Sequence, residues 1–131
     1  MRRLDLSATA ITDAGLAALL GMHRLERLYL GSCDITDDGL ARIVDEHPHL
    51  KVLDISRTLV TADAVPLLTK LPDLWRLELS QPSFAKPLLE AIDDFGSLEE
   101  FGFRGQEASM GDPDIGELVD WYGAANWIPT R

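Results

Sequence analysis

The sequence predicts an α/β solenoid, with short parallel strands along one side and helices along the other. The segment ITDAGLAALL at residues 11–20 returns as ITDDGLARIV at residues 35–44, with six of the ten positions identical. Beyond this pair, six apolar columns recur along the chain in steps of 24 or 25 residues. Because chance does not keep six columns apolar over four periods, we expect one structural unit repeated about five times.

Each unit begins with a predicted strand. Two columns in each unit are separated by one polar position, and this period of two is typical of a half-buried strand. The first column holds Leu4, Leu28, Leu53, Leu77 and Phe101, and the second holds Leu6, Leu30, Ile55, Leu79 and Phe103.

The second half of each unit is a predicted helix. Leu16, Leu19 and Leu20 follow the i, i+3, i+4 spacing of one helix face. Thr36 stands where a helix N-cap belongs, and Asp37 follows in the first turn, where a carboxylate favours the helix dipole. A strand-plus-helix unit cannot bury its apolar side alone, so we expect the units to stack on one another.

The two ends of the chain are predicted to differ. We divide it into repeats at residues 1–105 and a C-terminal helix-strand cap at 106–131. The cap's helix would cover the last repeat with Ile115, Leu118 and Val119, and adding 24 to Phe101 and Phe103 lands on Ala125 and Trp127 in a degenerate sixth strand. Because no equivalent cap precedes the first strand, we expect either a trimmed piece or a first strand covered by another chain.

The strand segments read LERLYLGSC, LKVLDISRT, LWRLELSQP and LEEFGFRGQ. Over residues 1–104 this resembles the leucine-rich repeat, L-x-x-L-x-L-x-x-N/C-x-L. The ITDDGLARIV half is similar to the ribonuclease-inhibitor-like and cysteine-containing subtypes. The resemblance implies an α/β leucine-rich repeat solenoid with strands on the concave face and helices on the convex face. It also implies a non-enzymatic protein-protein interaction module.

The Asn/Cys column of that pattern is only partly kept. A threonine there can still bond backbone groups of the loop, whereas Pro82 cannot, so we expect a less regular fourth turn. The column reads Thr9, Cys33, Thr58, Pro82 and Gln106.

Composition narrows the partners. A net charge of −10 and a pI near 4.5 argue against nucleic acid or an anionic membrane, and leave a basic protein as a possible partner. The single cysteine, Cys33, excludes an internal disulfide and fits a reducing compartment. With no signal peptide or membrane-spanning run, we expect a cytoplasmic protein.

The sequence gives little indication of a metal site or of a catalytic site. Asp34, Thr36 and Asp38 place side-chain oxygens at positions 1, 3 and 5, as in a calcium-binding loop. The residue equivalent to Asp34 in the first copy is Ala10, so the start of a helix explains both copies better. His23, His47 and His49 are expected in solvent-exposed loops, because no third ligand accompanies them. Cys33 is expected to be a buried structural thiol. We therefore predict no metal, no cofactor and no catalytic residue.

The predicted working surface is the outward side of the strands. On that side a stripe of arginines lies beside a stripe of acidic residues, and the four arginines and four acids cancel in charge. The two stripes either neutralise each other and bind nothing or form a polar recognition surface, and we favour the second. Trp75 would be exposed at the rim or packed between repeats. The predicted partner-binding residues are Arg3, Asp5, Arg27, Tyr29, Asp54, Arg76, Glu78 and Arg104.

Two further functions stay open. The chain could be an inhibitor or immunity-type protein that occludes a basic toxin or nuclease through acidic complementarity. It could instead be a structural subunit that docks on a larger assembly, or on its own copy, by its open N-terminal edge.

Overall fold

The computed structural model describes residues 2–19, 21–79, 84–103 and 127–128. Within them, six strands form one parallel sheet in chain order. They are β1 (Arg3–Asp5), β2 (Arg27–Tyr29), β3 (Val52–Asp54), β4 (Arg76–Leu79), β5 (Glu100–Phe103) and β6 (Trp127–Ile128).

The pairing of β1 to β5 confirms the predicted columns. Each strand pairs in register with the next, and the outward column runs through Arg3, Arg27, Val52, Arg76 and Glu100. The register predicted for the sixth strand is wrong, because Phe101 pairs with Trp127 rather than with Ala125. The last unit is therefore two residues longer than the 24-residue step carried over from the earlier units. The predicted cap helix and the turn at Pro82 lie outside the described residues.

Helical segments connect the strands. The longest is α1 (Asp37–Glu46), followed by the short α2 (Val65–Leu68) and α3 (Ala85–Ala91). Tighter 3₁₀ turns occupy Asp13–Leu19, Ala62–Ala64 and Ile92–Asp94. No helix among the described residues is long and apolar enough to cross a membrane.

The core lies between the strands and the helical segments. Eight leucines in the strand columns of the second to fourth units have no exposed surface: Leu25, Leu28, Leu30, Leu50, Leu53, Leu74, Leu77 and Leu79. Each contributes roughly 1.5–3 kcal/mol by leaving water. In the first unit Leu4 and Leu6 are only partly buried.

A second set of contacts joins the units at the corner between strand and helix. Thr36 precedes α1 as predicted, but its side chain caps no helix N–H. Its hydroxyl and its N–H instead donate to the carboxylate of Asp13, one unit earlier. Asp37 in turn accepts from the N–H and the hydroxyl of Thr61, at 2.7 and 2.6 Å. These residues therefore link neighbouring units, a role beyond the predicted cap and dipole roles.

The strand-end column behaves as predicted where it is described. Cys33 is buried, and its Sγ donates to the carbonyl of Leu6 at 3.0 Å. The hydroxyls of Thr9 and Thr58 donate to the carbonyls of Leu6 and Ile55, each at 2.7 Å. The column therefore ties each turn back to its own strand or to the strand before it.

One histidine prediction is wrong. His23 and His49 are exposed, but His47 has only 2% of its surface exposed. It follows α1, where its N–H donates to the carbonyl of Ile43 at 2.9 Å, and its side chain meets the backbone of Met22. The junction between helix and strand is therefore covered by the neighbouring unit, which sequence position alone did not reveal.

Candidate functional site

The strand face is the outward side of β1 to β4: Arg3, Asp5, Arg27, Tyr29, Val52, Asp54, Arg76 and Glu78. The intervening Leu4, Leu28, Leu53 and Leu77 point the opposite way and belong to the core or pack against it. This alternation follows from the pleat of a strand. The eight outward residues therefore share one surface, as the register predicts.

Two of the predicted binding residues are not accessible. Asp54 has 1% of its surface exposed and Glu78 has 2%, although both were expected to be available to a partner. Asp54 lies in register between Tyr29 and Glu78, so side chains stand on both sides of it. A buried carboxylate must be hydrogen-bonded, and Asp54 accepts from the N–H and the hydroxyl of Ser56 at 2.9 and 2.6 Å.

Glu78 is held by an arginine of its own strand. Nη2 of Arg76 lies 3.2 Å from Oε1 of Glu78, and Nη1 lies 3.5 Å from Oε2 of Glu100 on β5. The Arg76 side chain is 31% exposed. It therefore bridges two carboxylates and is less available to a partner than its column position suggested.

The arginines of β1 and β2 are in a different setting. Both Arg3 and Arg27 are exposed. The guanidinium of Arg3 lies 5.0 Å from the ring centroid of Tyr29, within cation–π range. Arg27 forms no ion pair within the described part of the chain. The two cations and Asp5 are the exposed charges of the strand face, and Tyr29 beside them is half-buried.

A cleft of about 250 Å³ opens beside Arg27. Val52 is buried and lies in register between Arg27 and Arg76, so the short side chain leaves a gap between two long ones. The other lining residues are Tyr29, Trp75 and Glu78. Trp75 is half-buried, between the two alternatives predicted for it.

A second groove, which the sequence did not reveal, lies just ahead of the strands, and Arg2, Glu26 and Lys51 belong to its lining. Glu26 accepts from Nζ of Lys51 at 2.9 Å, and Nε of Arg2 lies 3.9 Å away. The hydrogen bond from Lys51 lowers the pKa of Glu26, helped by the charges of Lys51 and Arg2. The signal was present in the column before each strand, which reads Arg2, Glu26, Lys51, Trp75 and Glu99 and alternates in charge over its first three positions.

Within the described ranges no group of three or more His, Cys, Asp or Glu side chains could hold a metal ion. Arg104, the last predicted binding residue, lies outside those ranges. The structure thus brings Arg3, Arg27 and Tyr29 together at the surface.

Comparison with known proteins matches the first part of the chain to a family. Residues 1–20 and 22–44 match the family model described as Leucine Rich repeat. The strands beyond residue 44 continue the same parallel register up to β5. The first two units are therefore similar to leucine-rich repeats, and domains of that family generally mediate protein-protein interaction. A search of curated proteins finds no match, and the subtype stays a prediction.

Proposed function

We propose that the chain is a non-enzymatic interaction module that binds a protein partner through the strand face of β1 to β4. The observation that carries the proposal is the continuity of this face. Four strands in register present polar and aromatic side chains on one side while their leucines are used by the core.

The residue types and their arrangement support a binding role. Arginine, tyrosine and tryptophan are enriched at the centres of protein interfaces. Here Arg27, Tyr29 and Trp75 line a cleft of about 250 Å³. The cation–π contact between Arg3 and Tyr29 holds two of the anchors in place before binding, which reduces the entropy lost on association.

The alternatives are less well supported at this face. Occlusion of a basic toxin needs exposed acids, and Asp54 and Glu78 are buried. Docking by the N-terminal edge stays a prediction, and light scattering coupled to size exclusion tests it: a monomer at high concentration contradicts it. A cytoplasmic location likewise stays a proposal, and the single cysteine is the residue that supports it.

Partner capture from native lysate tests the proposal. The double variant Arg27→Glu/Tyr29→Ala should lose the captured protein while keeping its unfolding midpoint. The matched control is Arg42→Glu/Leu59→Ala, because Arg42 is exposed on α1 and Leu59 is 58% exposed. The control makes the same charge change and also truncates an exposed side chain. Retention by the first variant, or equal loss by both, contradicts binding through the strand face.

A further inference from the structure

We propose that the strand face binds an acidic segment of its partner, seated at Arg3, Arg27 and the cleft floored by Val52. This deepens the proposed function and rests on it. It also reverses the expectation from net charge, since a chain of −10 suggests a basic partner.

The first step is the pairing of two like charges. Arg3 and Arg27 occupy directly paired positions on neighbouring strands and point to the same side. Like charges opposite one another in a sheet are destabilising. Arg3 leans over Tyr29, and the attraction of Arg27 for Glu26 is shared with Lys51, which already binds that carboxylate at 2.9 Å. An anion between the two guanidinium groups would relieve this repulsion.

The second step is the engagement of the neighbouring acids. Asp54 is buried and accepts two hydrogen bonds from Ser56, and Glu78 is buried against Arg76. Asp5 is exposed, and its Oδ1 accepts the N–H of Ser7 at 2.9 Å. The exposed outward charges of β1 and β2 are therefore two arginines and one aspartate. The surface that a partner meets is locally basic.

The third step is the shape of the cleft. Because neighbouring strands are about 4.8 Å apart, Arg27 and Arg76 stand roughly 10 Å apart across Val52. Tyr29 and Trp75 add aromatic surface to the lining. The chemistry that fits is a carboxylate for the exposed guanidinium groups, next to an apolar or aromatic side chain for the cleft. Arginine is suited to a carboxylate because the guanidinium group can donate two parallel hydrogen bonds to the two carboxylate oxygens.

The salt dependence of the association rate distinguishes an acidic partner from a basic one. The whole chain repels an acidic partner at long range, whereas the contact itself attracts it. Salt screens the long-range repulsion more than the attraction at the contact, since the Debye length is about 8 Å at physiological ionic strength. The association rate should therefore not fall steeply with salt, in contrast to steering of a basic partner by the net charge.

Two labelled synthetic peptides of equal length provide the test. Both carry the same central tyrosine, flanked by glutamates in one and by lysines in the other. Fluorescence anisotropy should show tighter binding of the glutamate peptide to the full chain. Arg27→Glu should weaken that binding about tenfold, in line with the cost of placing like charges together. Arg42→Glu makes the same change of net charge on α1 and should alter binding less than about twofold.

The outcomes separate the two proposals. Preference for the lysine peptide, or equal loss in Arg27→Glu and Arg42→Glu, overturns the acidic-segment inference. The captured partner provides a second test of the charge of its binding segment. Arg27→Glu should weaken capture of that partner if the segment is acidic. If that substitution strengthens capture while Arg27→Glu/Tyr29→Ala abolishes it, the strand face binds but the segment is not acidic. Capture unchanged in both variants removes the proposed function itself.

Discussion

Strands β1 and β2 and strands β3 and β4 follow the same sequence pattern but differ in how exposed their outward charges are. Asp5 on β1 is exposed, whereas Asp54 and Glu78 in the same column are buried. In the core column, Leu4 is partly buried whereas Leu53 is fully buried. The position of a residue in the repeat therefore determines which way its side chain points, and the neighbouring side chains determine how exposed it is.

The cause is the number and size of those neighbours. Within the described residues β1 pairs with β2 alone, whereas β3 is flanked by β2 and β4. Tyr29 and Glu78 stand on either side of Asp54, and Ser56 supplies two donors. Asp54 and Glu78, on strands with a neighbour on both sides, are thus used within the fold, whereas Asp5 on β1 remains accessible.

The largest expected effect is in the core. Leu53→Ala should lower the free energy of unfolding by about 2–5 kcal/mol, because it opens a cavity among fully buried leucines. Leu4→Ala removes the same atoms from a partly exposed site and should cost less than half as much. Urea denaturation of both variants measures this. Equal losses would show that β1 is packed as tightly as β3.

The second comparison uses the acids. Asp54→Ala leaves the N–H and the hydroxyl of Ser56 without their buried acceptor, and should cost about 1–3 kcal/mol. Asp5→Ala changes an exposed residue in the same column and should stay within about 0.5 kcal/mol. A destabilisation by Asp5→Ala as large as that by Asp54→Ala contradicts the distinction between β1 and β3.

The register of five strands was predictable because a 24- or 25-residue period places each leucine against its equivalent one unit on. Burial of Asp54, Glu78 and His47 was not predictable in this way. It depends on how side chains of the neighbouring units fill the space, and one unit's pattern does not contain that information. The accessible part of the site, Arg3, Asp5 and Arg27 with the half-buried Tyr29, was predicted as part of a longer set of outward residues.

The corner contacts were missed for the same reason. Asp37 was interpreted within its own helix, whereas its carboxylate binds Thr61 of the next unit. The repetition of ITD in the first two units was the feature of the sequence that indicated contacts between units, because equivalent residues in stacked units lie side by side. The third unit has Ala62 at the aspartate position, so this contact cannot continue there.

A smaller effect is expected at these corners. Asp37→Ala removes two hydrogen bonds between units and should lower the free energy of unfolding by about 1 kcal/mol. Asp38→Ala is the matched control, because Asp38 is also acidic and in the first turn of α1. Chemical denaturation of the two variants measures the difference. If both lose the same amount, the helix dipole rather than the link to Thr61 explains the aspartate.

The smallest effect is expected from His47, a single group that links the first two units. Its burial lowers its pKa from 6.5, aided by His23 and opposed by Glu46 and by the backbone of Met22. Nδ1 of this imidazole is buried and has no hydrogen-bond partner among the described residues. Between the folded-state and unfolded-state pKa values the unfolded chain therefore binds more protons.

The contribution of His47 to stability is full above the unfolded-state pKa and is lost as pH falls from about 6.5 toward the lowered value. Unfolding free energies measured from about pH 7.5 down to about pH 5 should fall more in the unsubstituted chain than in His47→Gln, which cannot titrate. His49→Gln changes an exposed histidine and should follow the unsubstituted chain. If His49→Gln flattens the pH profile and His47→Gln does not, the buried imidazole is not the sensitive group.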